Sequence, residues 1–463
     1  MAQAEQFLSD AEKKAFDLNH RQRINFNMKR YEDAVVKGKK YFENLDLARE
    51  WANHTKWDAI EHLDKNLLKF EENFTAKGGK VIWANNKEEA RTEILKILKE
   101  ENVKMVVKGK SMVTEELEIN ELLHENQIEP VETDLGEYIQ QLDGEKPYHI
   151  VTPAMHKSHG DIAELYHKKF GTDINMSAKD ITLFTRDKIR TKFLKAGAGI
   201  TGANFIISDT GSIALTENEG NIRLSSSFPK IHIAIVGIEK ILPSIKDLHL
   251  FWPLLATHGT GQDLTVYNTI LSGPRGKGEP DGPEKMFVVL LDNGRSKILA
   301  NPVTRESLYC IRCGACLNAC PVYKNIGGHT YGSTYSGPIG SVITPHLQGT
   351  EDLKHLSFAS SLCGNCTEVC PVKINLHGLL LNNRKEFVDQ EYGGSKEMWT
   401  WFFWKKGMSS RKLMNLPGAK LKNWGLKRFF KGAWGSRREL PKVAPKSFGA
   451  MLKDHNNKKQ NPQ

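Results

Sequence analysis

No cysteine occurs in the first 309 residues of this 463-residue chain or in its last 93. That confinement argues against a disulfide framework, which belongs to small secreted chains, and the odd total of seven would leave one thiol unpaired. No stretch approaches the about 18 consecutive apolar residues of a membrane span. The first residues, MAQAEQFLSDAEKKAF, lack the apolar core and cleavage site of a secretory signal. These absences predict a cytoplasmic protein. Acidic residues are scarce in only one place. Residues 396–463 carry 17 Lys and Arg against 3 Asp and Glu, whereas the rest of the chain has 48 against 52. The net charge of +10 therefore belongs to the tail, and any acidic partner should meet the protein there.

The seven cysteines fall within 61 residues, in two runs that each end in Cys-Pro. The first is Cys310-x2-Cys313-x2-Cys316-x3-Cys320-Pro321, and the second is Cys363-x2-Cys366-x3-Cys370-Pro371. Soft thiolates select iron–sulfur clusters or zinc, and zinc ligands usually come as separated pairs rather than as three closely spaced thiolates. The first run has the spacing of bacterial two-cluster ferredoxins, in which the fourth cysteine reaches across to the other cluster. That rule predicts one [4Fe-4S] cluster on Cys310, Cys313, Cys316 and Cys370. A second cluster falls to Cys320, Cys363 and Cys366, one thiolate short. The position that would complete the second run is Ser360. A [3Fe-4S] cluster, a [4Fe-4S] cluster with serine or another oxygen or nitrogen ligand, and an open iron are the three outcomes for that site.

Residues 1–75 read as a helical N-terminal arm, with apolar residues at three- and four-residue intervals amid dense charge. From about 76 to 300, short apolar runs alternate with amphipathic segments, which predicts an α/β domain with a mostly parallel sheet. TEELEINELLHENQ reads as one helix, and NFIISDTGSIALT as a hairpin around Asp209, Thr210 and Gly211. Gly197, Gly199 and Gly202 spell a formal dinucleotide fingerprint. It follows a helix and leads into a strand, the reverse of the required order, so the glycines are read as ending the helix and turning the chain. Residues 301–390 form the cluster domain, with 42 residues between Cys320 and Cys363 that suggest a helical ferredoxin-type domain. Residues 391–463 form a basic tail holding five of the nine tryptophans, Trp399, Trp401, Trp404, Trp424 and Trp434. Partner docking or packing on the domain accounts for the tail better than an anionic membrane surface, nucleic acid is not expected, and the run after about 440 reads as disordered.

Several segments together resemble a known family. KGKSMVTEE (108–116), ETDLGEYIQQL (132–142), GITGANF (199–205), SDTGSIAL (208–215), HGTGQD (258–263) and SGPRGKGEPDGPEKM (272–286) resemble the LUD domain. Followed by the cysteine runs, the GGHTYG loop and a basic tail, they make the chain similar to the lactate-utilization protein B family. The resemblance implies an α/β fold of the sugar-phosphate isomerase and CoA-transferase type, joined to an all-helical ferredoxin-type domain. It also implies the iron–sulfur subunit of a complex that oxidises L-lactate to pyruvate. Its partners would be a cysteine-rich-motif protein and a second LUD protein, with a quinone-linked acceptor at the inner face of the membrane as a further candidate.

The residues favour an electron-transfer component with no catalytic residues of its own. The alternative is a catalytic subunit acting on a small hydroxy acid through the LUD domain or an open cluster iron. Lys108, Lys110 and Arg275 could form an anion pocket, although turns with solvated charges explain them better. His149, His156 and His159 have loose spacing for a metal site and read better as surface or core histidines.

Overall fold

Apolar runs rich in Val and Ile, separated by amphipathic helices, fold from Lys80 onward into two sheets. The computed structural model describes residues 2–390, 394–416, 418–435 and 438–460. In chain order the strands are β1 (Lys80–Ala84), β2 (Met105–Lys108), β3 (Glu129–Glu132), β4 (Ala198–Thr201), β5 (Phe205–Ile207), β6 (Ser212–Glu217), β7 (Ile231–Gly237), β8 (Ile241–Leu242), β9 (Tyr267–Leu271) and β10 (Lys285–Leu291). The larger sheet has the order β1-β10-β7-β4-β2-β3, with every neighbour parallel. Its central strands β7 and β10 are buried on both faces, which is why they read as unbroken apolar runs rather than alternating ones. A smaller sheet, β8-β5-β6-β9, carries the expected hairpin, with Phe205 opposite Ala214.

One expectation fails and another holds only in part, each for an identifiable reason. The segment read as one helix after β2 breaks into Met112–Glu116 and Ile119–Glu125, with Glu118 in the left-handed region at φ 51°. Glu116 is drawn inward to Arg295, and Arg91 donates to the carbonyls of Leu117 and Glu118 at 3.0 and 3.2 Å. The glycine motif turns the chain only in part: Gly197 links the helix Ala178–Lys195 to β4 and Gly202 follows β4. Gly199 lies inside β4, where an added Cβ would stand 1.8 Å from the Ser225 carbonyl oxygen. Glycine there lets the helix Asn221–Ser227 lie directly on the strand.

Four helices precede the sheet: α1 (Ala2–Phe16), α2 (Leu18–Gly38), α3 (Leu45–Glu61) and α4 (Leu63–Ala76). Ile24, Met28, Ile60, Phe70 and Phe74 bury in the same apolar cluster as Phe205, Phe251 and five of the cysteines. The α3 helix also holds the second cysteine run. Arg49 donates to the carbonyls of Cys370 (3.1 Å) and Glu368 (2.6 Å), and Asn53 to that of Val372 (2.8 Å).

A buried ion triad ties the sheet to the loop between the cysteine runs. Arg295 donates to Glu116 (2.8 and 3.0 Å) and Glu239 (2.6 Å), and the Tyr335 hydroxyl donates to Glu116 at 2.6 Å. Burial alone would raise the Glu239 carboxyl, but Arg295 and Arg312 outweigh it and hold it at about 2. The stabilisation from this lowered pKa is present above the unfolded carboxylate range and is lost as pH falls toward 2. Arg295→Met, which leaves two carboxylates buried without their cation, is expected to cost about 3–5 kcal/mol at neutral pH in a urea titration. A loss below about 1 kcal/mol would mean that the triad contributes little.

Residues 387–463 form a separate unit. Its helix Gly394–Met408 exposes Trp399, Trp401, Phe402, Phe403 and Trp404. The run after 440 is not disordered throughout. Phe448–Gln460 is helical, and the Ser447 hydroxyl accepts from the Ala450 N–H at 3.3 Å in a proline-free stretch. No helix of the described residues is long and apolar enough to cross a membrane.

Candidate iron–sulfur centre

The two cysteine runs fold as the same backbone turn, 50 residues apart. In the first, Arg312 (φ 61°) and Gly314 (φ 81°) flank Cys313, and Gly314 caps the helix Ala315–Ala319, whose second residue is Cys316. In the second, Leu362 (φ 54°) and Gly364 (φ 84°) flank Cys363, and Gly364 caps Asn365–Glu368, whose second residue is Cys366. Paired left-handed residues coil the chain tightly enough to bring thiols three positions apart to one side. Cys320 and Cys370 close the two turns, each followed by proline, which lacks an N–H and stops the preceding helix.

Three sulfurs accept backbone N–H groups: Cys310 from Arg312 (3.4 Å), Cys320 from Tyr323 (3.5 Å) and Cys370 from Ile374 (3.4 Å). Ser360 repeats the first of these contacts, its Oγ accepting from the Leu362 N–H at 3.1 Å. The serine oxygen thus occupies the place in its turn that the Cys310 sulfur occupies in the other.

The thiols act on one another in two sets. Burial raises Cys313 and Cys316, and Cys310 and Cys370 push both further in the same direction. Cys370 is pushed up to about 12, by burial first and with a contribution from Cys310. Burial, then Cys320 and Cys363, pushes Cys366 up to about 11. Cys320 is raised by burial and by Cys363. Thiolates gathered this way away from water require a cation to stay ionised, and their softness suits iron held in sulfide. The backbone N–H groups aimed at the sulfurs are the contacts that tune such a cluster. Cys363 alone is exposed.

A cavity of about 410 Å³ opens at the carboxyl ends of the parallel strands. Lys110 and Ser111 follow β2, Asp134 follows β3, Gly202 to Asn204 follow β4, and Lys240 follows β7. The chain winds from β2 outward to β3 and then back past β2 to β4. The cavity lies at this switch in winding direction, where ligands bind in open α/β sheets. Arg312, Cys313 and Tyr335 wall its other side.

Residues 67–291 match the LUD domain family, and residues 306–374 match the 4Fe-4S dicluster domain. The protein named "Lactate utilization protein B" from Bacillus thuringiensis (strain Al Hakam) is 42% identical over 436 residues, 90% of this chain and 92% of its own length. Its namesakes from Bacillus cereus (strain AH187) and Bacillus anthracis (strain A0248) match equally well. This chain belongs to the lactate utilization protein B family. A solved structure, "Crystal structure of a duf162 family protein from deinococcus radiodurans", is 19% identical with a TM-score of 0.27, covering 50% of this chain and 98% of its own. The fold class expected from the sequence holds, with an α/β LUD domain followed by a helical iron–sulfur domain. The cofactors of this family member are iron–sulfur clusters.

Of the three residues suggested for an anion pocket in the LUD domain, only Lys110 lines the cavity. Lys108 is fully buried in ion pairs with Glu115 (2.9 Å) and Glu132 (2.8 Å). Arg275 pairs with Glu284 at the surface, at 2.9 Å. Lys240 and Arg312 were missed, because nothing local distinguishes them from solvated charges. The three histidines do not converge. His149 is buried against Asn318 (3.1 Å), and His159 opens a helix. His156 instead meets Glu145 and His329 with ligand atoms within 4.8 Å. There Lys157 already pairs with Glu145 at 3.0 Å, and His329 Nε2 bonds the Lys146 carbonyl at 2.7 Å.

Proposed function

We propose that this chain is the iron–sulfur electron-transfer subunit of a complex oxidising L-lactate to pyruvate, with a cysteine-rich-motif protein and a second LUD protein as partners. In this reading Cys310, Cys313, Cys316 and Cys370 hold one [4Fe-4S] cluster. Cys320, Cys363 and Cys366 hold the second, with Ser360 supplying an oxygen at the fourth corner. Bound there, the two clusters supply one-electron transfer in sequence. The chain's own contribution is to fix the donor atoms and to set the polarity around each group of sulfurs.

The observation that carries the reading is the repeated turn, with its two mutually acting sets of thiols. The name borne by the Bacillus relatives supports lactate as the fuel. Burial of Cys313, Cys316 and Cys370 in the first set and exposure of Cys363 support a route that meets a partner at the second. The absence of a correctly ordered nucleotide fingerprint is the reason for assigning the two-electron chemistry to a partner.

The test is an iron, sulfide and zinc count with electron paramagnetic resonance on anaerobically purified protein. About eight irons per chain and two interacting reduced four-iron signals are expected. Zinc without iron would end the electron-transfer reading.

A further inference from the structure

The two cysteine turns repeat at 50 residues, so each is a control for the other. Arg312 in the first corresponds to Leu362 in the second, both in the left-handed region at φ 61° and 54°. Asn318 corresponds in the same way to Glu368. From 310 to 320 the first turn therefore carries one cation and no acid. From 360 to 370 the second carries one acid and no cation.

The fold widens that difference. Lys56 reaches in from α3 and donates to the carbonyls of Glu239 (2.6 Å) and Ile241 (3.2 Å), on either side of Lys240. The Arg312 N–H donates to the Cys310 sulfur at 3.4 Å, while its guanidinium stacks 4.6 Å above the Tyr335 ring and meets Glu239 at 3.4 Å. Cys310 is among the groups whose charge acts on all three, Lys56, Lys240 and Arg312. Glu239 is the acid between them, and Arg295 already holds it at 2.6 Å. With Arg295 and its second partner Glu116 included, four cations stand against two carboxylates. Lys56 is 1% exposed and Lys240 6%, so little water screens them. The second set meets less charge. The cation acting on Cys320 is Lys324, which is 26% exposed and paired with Glu32.

Taking up an electron adds one negative charge to a cluster. The charge, hydrogen bonds and exposure around its sulfurs set how readily it does so. Burial alone would oppose the added charge at the first site. A net positive surround in a poorly screened place reverses that. Leu362 and Glu368 give the second site no such help.

We propose that Arg312, Lys240 and Lys56 make the first iron–sulfur site the higher-potential one of the pair. An electron held at the second set, where Cys363 is exposed, then passes to the first. The second site is oxidised by one electron, the first is reduced by one, and no proton or further reactant is needed. The three side chains act through the cysteines and are positioning residues. The order of potentials rests on the reading that both sets hold iron, which the iron count tests by itself.

The experiment is a redox titration of the anaerobic, iron-loaded full chain, followed by electron paramagnetic resonance, with iron counted in each sample. The signal missing from Cys313→Ala protein marks the first site, and in the wild-type chain that site should be reduced first. Arg312→Leu, which gives the first turn the residue of its counterpart, should lower its potential. Lys240→Met should do the same, while Lys240→Arg should leave it in place. Each loss should change the oxidised-to-reduced ratio at a fixed potential about tenfold, about 59 mV for one electron. Leu362→Arg should raise the second site. Iron content should stay full in all four variants. Reduction of the second site first, or an unmoved first site in Arg312→Leu and Lys240→Met at full iron content, would overturn the proposal. If a variant loses iron, the wild-type order and the Leu362→Arg shift still decide. A wild-type chain without iron would overturn the cluster assignment and the order of potentials together.

Discussion

Anaerobically purified Cys313→Ala protein should carry about half the iron of the wild-type chain and should not support growth on lactate. Cys313 sits in the first turn between two left-handed residues, Arg312 and Gly314. It is buried, and Cys310, Cys316 and Cys370 surround it. Alanine removes one of four soft donors and offers no oxygen in exchange, so the remaining three thiols would hold a cluster open to loss. The second set of thiols, on its own turn, should keep its iron. That retained half shows that the variant has folded, separating loss of a ligand from loss of the protein. Full iron content with normal growth on lactate would overturn the proposed ligation. Loss of all iron with a collapsed thermal transition would instead show that the two turns stand or fall together.

What the sequence disclosed depended on the distance over which each feature is determined. Cysteine spacing is local, and so the proposed donor set from Cys310 to Cys370 comes directly from it. The vacancy at Ser360 was also readable, but not its orientation, which depends on the left-handed backbone at Leu362 and Gly364. Strands β7 and β10 were legible because burial on both faces leaves continuous apolar runs. β8 was not, since two residues carry no period. The break at Glu118 could not be seen, because its cause, Arg295, lies 177 residues further along. Lys240 was hidden in the same way. In the sequence it is one lysine after a glutamate, and its burial comes from elements far from it in the chain. Long-range packing thus decided which charges became unusual, and residue type alone could not.

Ser360→Ala should turn the second site into a three-iron cluster, with about seven irons per chain and a three-iron signal in the oxidised protein. Ser360→Cys should keep about eight irons while changing the line shape of the reduced second cluster, because a soft thiolate replaces a hard oxygen. The argument is one of equivalence within the chain. Ser360 lies 50 residues after Cys310, as Cys363, Cys366 and Cys370 lie 50 after Cys313, Cys316 and Cys320. Its Oγ takes the N–H of the residue two positions on, as the Cys310 sulfur does. Arg384 holds the segment in place by donating to the carbonyls of Ser360 (2.8 Å) and Ser357 (2.9 Å). An atom so positioned is the nearest equivalent to the missing thiolate that the second turn offers. If Ser360→Ala left the iron count and the spectrum as they were, the serine would be no ligand. The fourth corner would then belong to another oxygen or nitrogen donor, or a three-iron cluster would already be the native state. The wild-type iron count separates those two cases, about eight for the first and about seven for the second.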